Sequence, residues 1–360
     1  MLPECSTTLP FVTDSVPGVA GVLRASWDDF QVEEVPAYPA SGDGDHTFVT
    51  FEKRGLTTPE AIDRLARAVG VHPRDAGYAG MKDRHAVTVQ TASFPGGDPG
   101  RFLSLSLDGI AIRAASPHRH KLRTGHLRGN RFVLILRGVV GPAEALVRCE
   151  AVAATLSAQG VANYYGSQRF GRGGDNEARA RRWLVDGGRA PRDATERKML
   201  ASALQSACFN RWLSARVAGG ELGRYVDGDL ATRHGPGGEG RPWAVDPAEA
   251  QGYYDSREVS PTGPMLGPKM PWPTGEALRR EEALFAADGL TVEHFARAGS
   301  LAEGTRRAAR IFPDGLSVSL EGDAALRFEF VLPPGAYATV VMREFVKNQS
   351  PSEPAAVAGG

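Results

Sequence analysis

The 360-residue chain is 42% hydrophobic and 23% charged, an ordinary balance for a protein with a sizeable core, and its length leads us to expect two domains. Lys plus Arg and Asp plus Glu are equal at 42 each, which argues against an indiscriminate polyanion binder. No run approaches the ~18 apolar residues of a membrane span, and the first residues lack the features of a signal peptide, so a cytoplasmic protein is expected. Cys5, Cys149 and Cys208 are too few and too scattered for a disulfide framework or a zinc site.

In chain order, residues 1–17 read as a loose lead-in. Short strands are predicted over 21–26 and 29–35, the second alternating around Phe30 and Val32. A turn at 41–45 leads into a strand over 46–53. Thr58-Pro59-Glu60 opens a helix with a capping hydroxyl and an early proline, and Ile62, Leu65, Ala66 and Val69 share one of its faces. Residues 77–90, Gly-Tyr-Ala-Gly-Met-Lys-Asp-Arg-His-Ala-Val-Thr-Val-Gln, place Asp83 between Lys82 and Arg84 and run into a strand ending near 94. Flanking cations favour a carboxylate's charged form, and a positioned carboxylate suits nucleophilic attack at a sugar carbon. The plain alternative is a solvated polar turn.

Strands near 109–115 and 131–137 bracket a basic stretch, much of which reads as a loop. From Arg113 to Arg137 there are seven Lys or Arg, three His and no acidic residue. Further basic clusters are Arg169, Arg172, Arg179, Arg181 and Arg182, and then Arg306, Arg307 and Arg310, whereas acidic residues crowd 28–45. Such segregation gives a neutral protein a positive face suited to phosphates. An amphipathic helix over 142–156 leads to Asn163-Tyr164-Tyr165-Gly166-Ser167-Gln168-Arg169-Phe170-Gly171. Aromatic faces, amides and an arginine this close form a platform for unpaired bases, or else an aromatic-rich strand end in a core.

Helical patterns then dominate, over 176–185, 197–217 and 276–287, interrupted by Gly/Pro-rich turns at 235–240 and 260–264. Alternation returns over 316–320 and 326–332, followed by Pro333-Pro334-Gly335, a short helix over 336–346 and a tail past Lys347. Strands at both ends around a helical middle suggest an insertion. Phosphate-loop, dinucleotide-binding, His-Glu-x-x-His and nucleophile-elbow motifs are missing from the sequence, and His85, His118, His120 and His126 read as surface or RNA-facing groups.

Gly80–Thr88, Asn163–Gly171 and Leu332-Pro333-Pro334-Gly335-Ala336-Tyr337-Ala338-Thr339, in that order, resemble the motifs of the TruD family of tRNA pseudouridine synthases. The resemblance spans nearly the whole chain. It implies an α+β fold: a pseudouridine-synthase-like catalytic domain with a central antiparallel sheet, interrupted by an inserted α/β TRUD domain, the two forming a V-shaped cleft. The implied division is residues 1–190 and 312–346 for the catalytic domain, 191–311 for the insert and 347–360 for a flexible tail. The implied reaction is isomerisation of uridine 13 of tRNA without cofactor or metal. The sequence shows no amphipathic heptads or other sign of oligomers, so a monomer is expected.

Asp83 matches the family's catalytic aspartate. Phe30, Asn163 and Tyr337 match substrate-contacting positions. Tyr165 is a second candidate for stacking on the base, and Lys82 is placed near the active site. Arg119, Lys121, Arg123, Arg128 and Arg169 are assigned to the RNA backbone. Two departures, Tyr165 and Tyr337 where the family commonly has Phe, keep the ring and add a hydroxyl that needs a partner if buried. Two rival readings are an RNA chaperone on the same scaffold and a glycosidase-like hydrolase. The latter would need a second carboxylate near Asp83, and none accompanies it in the motif.

Overall fold

The structure, a computed structural model, describes residues 9–347 except 97, 172, 236 and 237. Cys5, Arg172, part of the 235–240 turn and the tail from 348 onward lie outside the described residues. The first part of the chain supplies strands β1 (Val22–Leu23), β2 (Phe30–Pro36), β3 (His46–Arg54), β4 (Gly77–Tyr78), β5 (Val87–Pro95), β6 (Ile110–His118) and β7 (Leu127–Arg137). Helices α1 (Thr58–Ala68) and α2 (Pro99–Leu103) lie between them. The buried face of α1, Ile62, Leu65 and Ala66, packs with Val49, Phe51 and Phe94 of the sheet. Its cap is Thr57, one residue earlier than expected, in a reciprocal box with Glu60. Thr58 is thereby free for another task described below.

Helix α3 (Pro142–Gln159), the short β8 (Val161–Ala162), α4 (Asn176–Leu184) and α5 (Ala194–Ala218) follow. Next come β9 (Leu230–Gly235), β10 (Gly238–Glu239), β11 (Trp243–Ala244), α6 (Ala250–Asp255), β12 (Val259–Met265), α7 (Gly275–Asp288), α8 (Val292–Ala296) and β13 (Thr305–Ala308). Strand β14 (Arg310–Ile311) pairs with β8. Strands β15 (Asp314–Leu320) and β16 (Ala325–Leu332) then return to the first sheet, and α9 (Ala338–Val346) closes the described chain.

The first sheet runs β15-β16-β7-β2-β5-β3-β6, with β1 on β7 and β4 on β5. Its pairings are antiparallel except one: β2 and β5 run parallel, Gln31–Glu33 against Val87–Val89. The expected central sheet is therefore mixed. This parallel pair sets the N-terminal ends of β2 and β5 side by side, so the segments entering Phe30 and Val87 meet at one sheet edge. Strand β6 extends to His118 and β7 starts at Leu127, leaving only 119–126 as loop where a longer one was expected.

The middle of the chain is less helical than its pattern suggested, because β9 to β13 form a second, five-stranded sheet. Its central strand β12 contains the Ser260-Pro261-Thr262-Gly263-Pro264 stretch that reads as a turn. The strand changes partner midway: Val259–Pro261 pair with β9, and Thr262–Met265 with β13. Pro261 thus ends one pairing and Pro264 sits near the end of the other, where a missing N–H costs least. Gly263 is required by packing, since a Cβ there would lie 2.3 Å from the Trp212 ring on α5.

The lead-in is not loose over its described part. The buried Glu344 carboxylate on α9 accepts hydrogen bonds from the Val12 N–H (3.2 Å), the Thr13 N–H (3.1 Å) and the Thr13 hydroxyl (2.8 Å). That clasp fixes α9, and with it Tyr337 at its N-terminal end.

Candidate active site

Phe30, Val32 and Glu34 alternate onto the same buried face of β2, and Phe132 and Asn130 of β7 lie beside them. Phe30, Val32, Asn130 and Phe132 floor a cavity of about 230 Å³. One wall is the loop after β4, through Met81, Lys82 and Asp83, with Arg24. The other wall is Gln168 and the turn into α9, through Tyr337 and Thr339. Segments of all three sequence motifs therefore meet around one half-exposed carboxylate.

The loop carrying Asp83 is anchored from beneath. The Lys82 N–H donates to Thr58 Oγ1 (2.9 Å), and that hydroxyl donates to Gln90 Oε1 (2.9 Å). The Lys82 ammonium is turned inward onto Glu34 (3.0 Å), both side chains being buried. The fully buried Lys53 donates to the carbonyls of Leu56 (2.7 Å) and Asp83 (2.8 Å). Burial pushes the Lys53 ammonium down to about 8, with Asp83 the largest opposing influence. These bonds hold the backbone while Met81, Asp83 and Arg84 stay exposed; Met81 is 74% exposed.

The cations flanking Asp83 in sequence are not its partners. Lys82 is paired with Glu34, and Arg84 reaches Glu60 on α1. The cation that faces Asp83 is Arg24, Nη2 to Oδ2 3.8 Å, with its guanidinium 3.7 Å over the Phe30 ring. Burial lowers the Arg24 pKa and Asp83 opposes the shift. Arg24 sits at φ 60°, a left-handed conformation, followed by the Ser26–Asp29 capping box whose buried Asp29 pairs with Arg137. Sequence reasoning missed Arg24, although it is the only Lys or Arg in the first 52 residues.

Tyr337 lines the cavity, and its hydroxyl accepts from Arg169 Nη2 (3.1 Å), so the added oxygen has a partner. Asn163 and Tyr165 do not line this cavity. Tyr165 stands behind Tyr337, ring centroids 6.1 Å apart, with its hydroxyl on Met265 Sδ. The Asn163 side chain donates to the Ala308 carbonyl (3.0 Å) and accepts from Arg307 (2.5 Å). Arg307 lies 4.1 Å over Tyr165 and also donates to the Gly335 carbonyl (3.1 Å). It therefore clamps the second motif to the third.

The third basic cluster is a correction. Arg306, Arg307 and Arg310 are buried, with Arg306 in a bidentate pair with Glu281 and Arg310 on the Gln159 and Val259 carbonyls. In the second cluster, Arg179 pairs with Glu196, and Arg181 with Glu177. Of the first cluster, Arg119 is held by Asp43 (2.8 Å) and Lys121 donates to the Arg74 carbonyl, while Arg123 and Arg128 are exposed. His118 is buried, stacked on Phe48 at 3.9 Å, and so is a packing group rather than a surface one. No group of three or more His, Cys, Asp or Glu able to hold a metal occurs among the described residues.

The family model for tRNA pseudouridine synthase D (TruD) matches residues 8–187 and 193–345. The tRNA pseudouridine synthase D of an Anaeromyxobacter species is 45% identical over 346 residues, covering 95% of this chain and 97% of that one. That of Thermus thermophilus is 42% identical over 343 residues, covering 95% and 93%. A solved structure of the putative tRNA pseudouridine synthase D from Methanosarcina mazei superposes with a TM-score of 0.76 at 21% identity, covering 94% and 96%. With its three motifs gathered around Asp83 and its relatives matched nearly end to end, the chain belongs to the TruD family of tRNA pseudouridine synthases.

Proposed function

We propose that this protein isomerises uridine to pseudouridine at position 13 of tRNA, with Asp83 as the catalytic carboxylate and no cofactor. The observation that carries this reading is the meeting of the three motifs in one nucleoside-sized cavity with Asp83 in its wall. In the reaction the bond from C1′ to N1 breaks, the uracil turns, and C5 bonds to C1′. The C5 proton is lost and N1 gains one. Asp83 either attacks covalently or removes a sugar proton to give a glycal. Phe30 and Tyr337 supply apolar walls for the freed base, and Gln168 and Asn130 offer amides to its edges. Arg24 faces the Asp83 carboxylate from the stacked position over Phe30. Asn163 and Tyr165 act on the substrate through Arg307 and Tyr337.

A uridine in folded RNA must leave its stack at a cost of a few kcal/mol. Met81, exposed at the cavity mouth, is placed to fill the gap it leaves. Arg123 and Arg128, both exposed, supply phosphate contacts together with Arg119 and Lys121. Residues 191–311, with the second sheet, form the inserted domain, and 1–190 with 312–346 the catalytic one. A tRNA substrate fits a monomer working in the cytoplasm. Separately, no helix among the described residues is long and apolar enough to cross a membrane.

Because the C5 hydrogen must leave, tRNA labelled with tritium at C5 of uridine tests the reading. Stoichiometric tritium release with the base retained in the RNA is expected. Release of free uracil would instead establish a hydrolase, and tight binding with neither would establish a binding module.

A further inference from the structure

The turn that carries Tyr337 borders a second cavity, larger than the first at about 430 Å³. It lies where the ends of β7 and β16 approach β9 and β10, and the two cavities share Ala336. Phe312, Val331, Pro333 and Pro334 give it apolar walls. Its polar side chains are Asn163, His234, Glu239, Arg128 and Arg257, with the exposed Asp314 as a second carboxylate in the lining.

Asn163 is engaged at both ends by Ala308 and Arg307, but Glu239 and His234 are incompletely engaged. Glu239 Oε2 accepts from the Ala308 N–H (2.7 Å), but among the described residues Oε1 has only a long 3.5 Å contact from the Asn163 amide. His234 Nε2 is buried without a hydrogen-bond partner among the described residues, and its ring stands edge-on to Phe312 at 5.8 Å. Burial pushes His234 down to about 4, so the imidazole is neutral and presents one donor and one acceptor. Arg128 and Arg257 are exposed. Arg257 holds a left-handed φ of 63° although it is not glycine, a conformation that side chains disfavour.

Flat apolar walls with a carboxylate acceptor and a neutral imidazole fit a heteroaromatic base. Two exposed guanidinium groups fit its phosphates. Uracil can offer the Glu239 carboxylate only its N3–H, flanked by two carbonyl oxygens that repel it, whereas an exocyclic amino group donates to it from the ring edge. We propose that this cavity holds a second nucleotide of the same RNA, one whose base carries an exocyclic amino group, with Glu239 accepting from that group and Arg128 and Arg257 facing its phosphates. The proposal rests on the RNA reading of the Asp83 cavity. It also gives the two cavities a physical link, because Asn163 holds Arg307, and Arg307 holds the Gly335 carbonyl in the wall of the first.

The test uses the full-length protein and tRNA transcripts in which single nucleotides near the target are replaced by amino-free counterparts: inosine for guanosine, uridine for cytidine, purine riboside for adenosine. With the wild type, one position is expected at which this change lowers kcat/KM about tenfold, the scale of a charge-assisted hydrogen bond. In Glu239→Ala that penalty is expected to disappear. Arg257→Gly, which relieves the left-handed backbone, is expected to keep or raise the melting temperature and to raise KM for every transcript. No sensitive position with the wild type, or an undiminished penalty in Glu239→Ala, would overturn the proposal. If no transcript is isomerised, the reading of the Asp83 cavity fails, and the same amino-group comparison made on Kd decides the second cavity separately.

Discussion

Arg24 and Asp83 are 59 positions apart in sequence, yet the guanidinium of one lies 3.8 Å from the carboxylate of the other. The parallel pairing of β2 with β5 brings them together, because each residue lies just ahead of one of those strands. Stacking on Phe30 holds the guanidinium beside Asp83 and the cavity. Since Asp83 is half exposed, the pair is partly screened and is worth about 1 kcal/mol. Arg24→Met is therefore expected to lower kcat roughly fivefold with little change in tRNA affinity, as read by single-turnover kinetics.

The buried Lys82–Glu34 pair makes Lys82 an anchor of the loop. Removing one partner of a buried pair leaves an uncompensated charge and costs about 3–5 kcal/mol. Lys82→Met is expected to lose about that much stability in urea unfolding. Adding Glu34→Gln to it should recover part of the loss. Equal loss in the double variant would show that the pair is not coupled.

Lys53 supplies a pH dependence. Because its pKa is lowered in the native state, the unfolded chain binds more protons between about pH 8 and the ordinary lysine value. The group's contribution to stability therefore rises with pH across that window. The charged groups that face it are Asp83, Lys82, Arg84 and Glu60. The isomerisation rate is expected to show an alkaline step near pH 8 as the charge under the Asp83 loop is lost. Lys53→Met should abolish the step and slow the reaction at neutral pH. Urea stability of wild type relative to Lys53→Met should improve from about pH 7 to about pH 10.

Much of this site was legible in the sequence, and the failures have physical causes. The motifs are local strings, so the sequence could name Asp83 and Tyr337, and the family resemblance added Phe30; the structure brings all three to one cavity. Charge partners are not local. Lys82 and Arg84 look like the neighbours of Asp83, but a loop side chain goes where the fold offers a buried carboxylate, Glu34, or a helix-cap carboxylate, Glu60. The cluster Arg306, Arg307 and Arg310 reads as a phosphate-binding face, yet its members are consumed by Glu281, Asn163 and backbone carbonyls. Strand β12 hid behind its prolines, because only the switch of partner midway makes them tolerable.

Salt dependence separates the surface arginines. Arg119 is already paired with Asp43, whereas Arg128 is exposed with no ion pair among the described residues. Arg128→Ala is expected to reduce the slope of log Kd against log salt by up to about 0.9, the value for one phosphate contact on a duplex. Arg119→Ala should reduce it less. Filter binding across a salt series reads both.

Met81→Ser tests the exposed apolar residue at the cavity mouth. If Met81 fills the gap left by the flipped uridine, the variant should lose roughly tenfold in kcat/KM, while Met81→Leu should be near wild type. A fluorescent base analogue beside the target should report weaker unstacking in Met81→Ser.

The most direct measurement treats unmodified tRNA carrying uridine at position 13 with wild type and with Asp83→Asn, then maps pseudouridine by carbodiimide-dependent primer-extension stops. A stop at position 13 with the wild type alone, with both proteins binding the tRNA, is the expected result. A stop of equal strength with both proteins would contradict the assignment of Asp83 as the catalytic carboxylate.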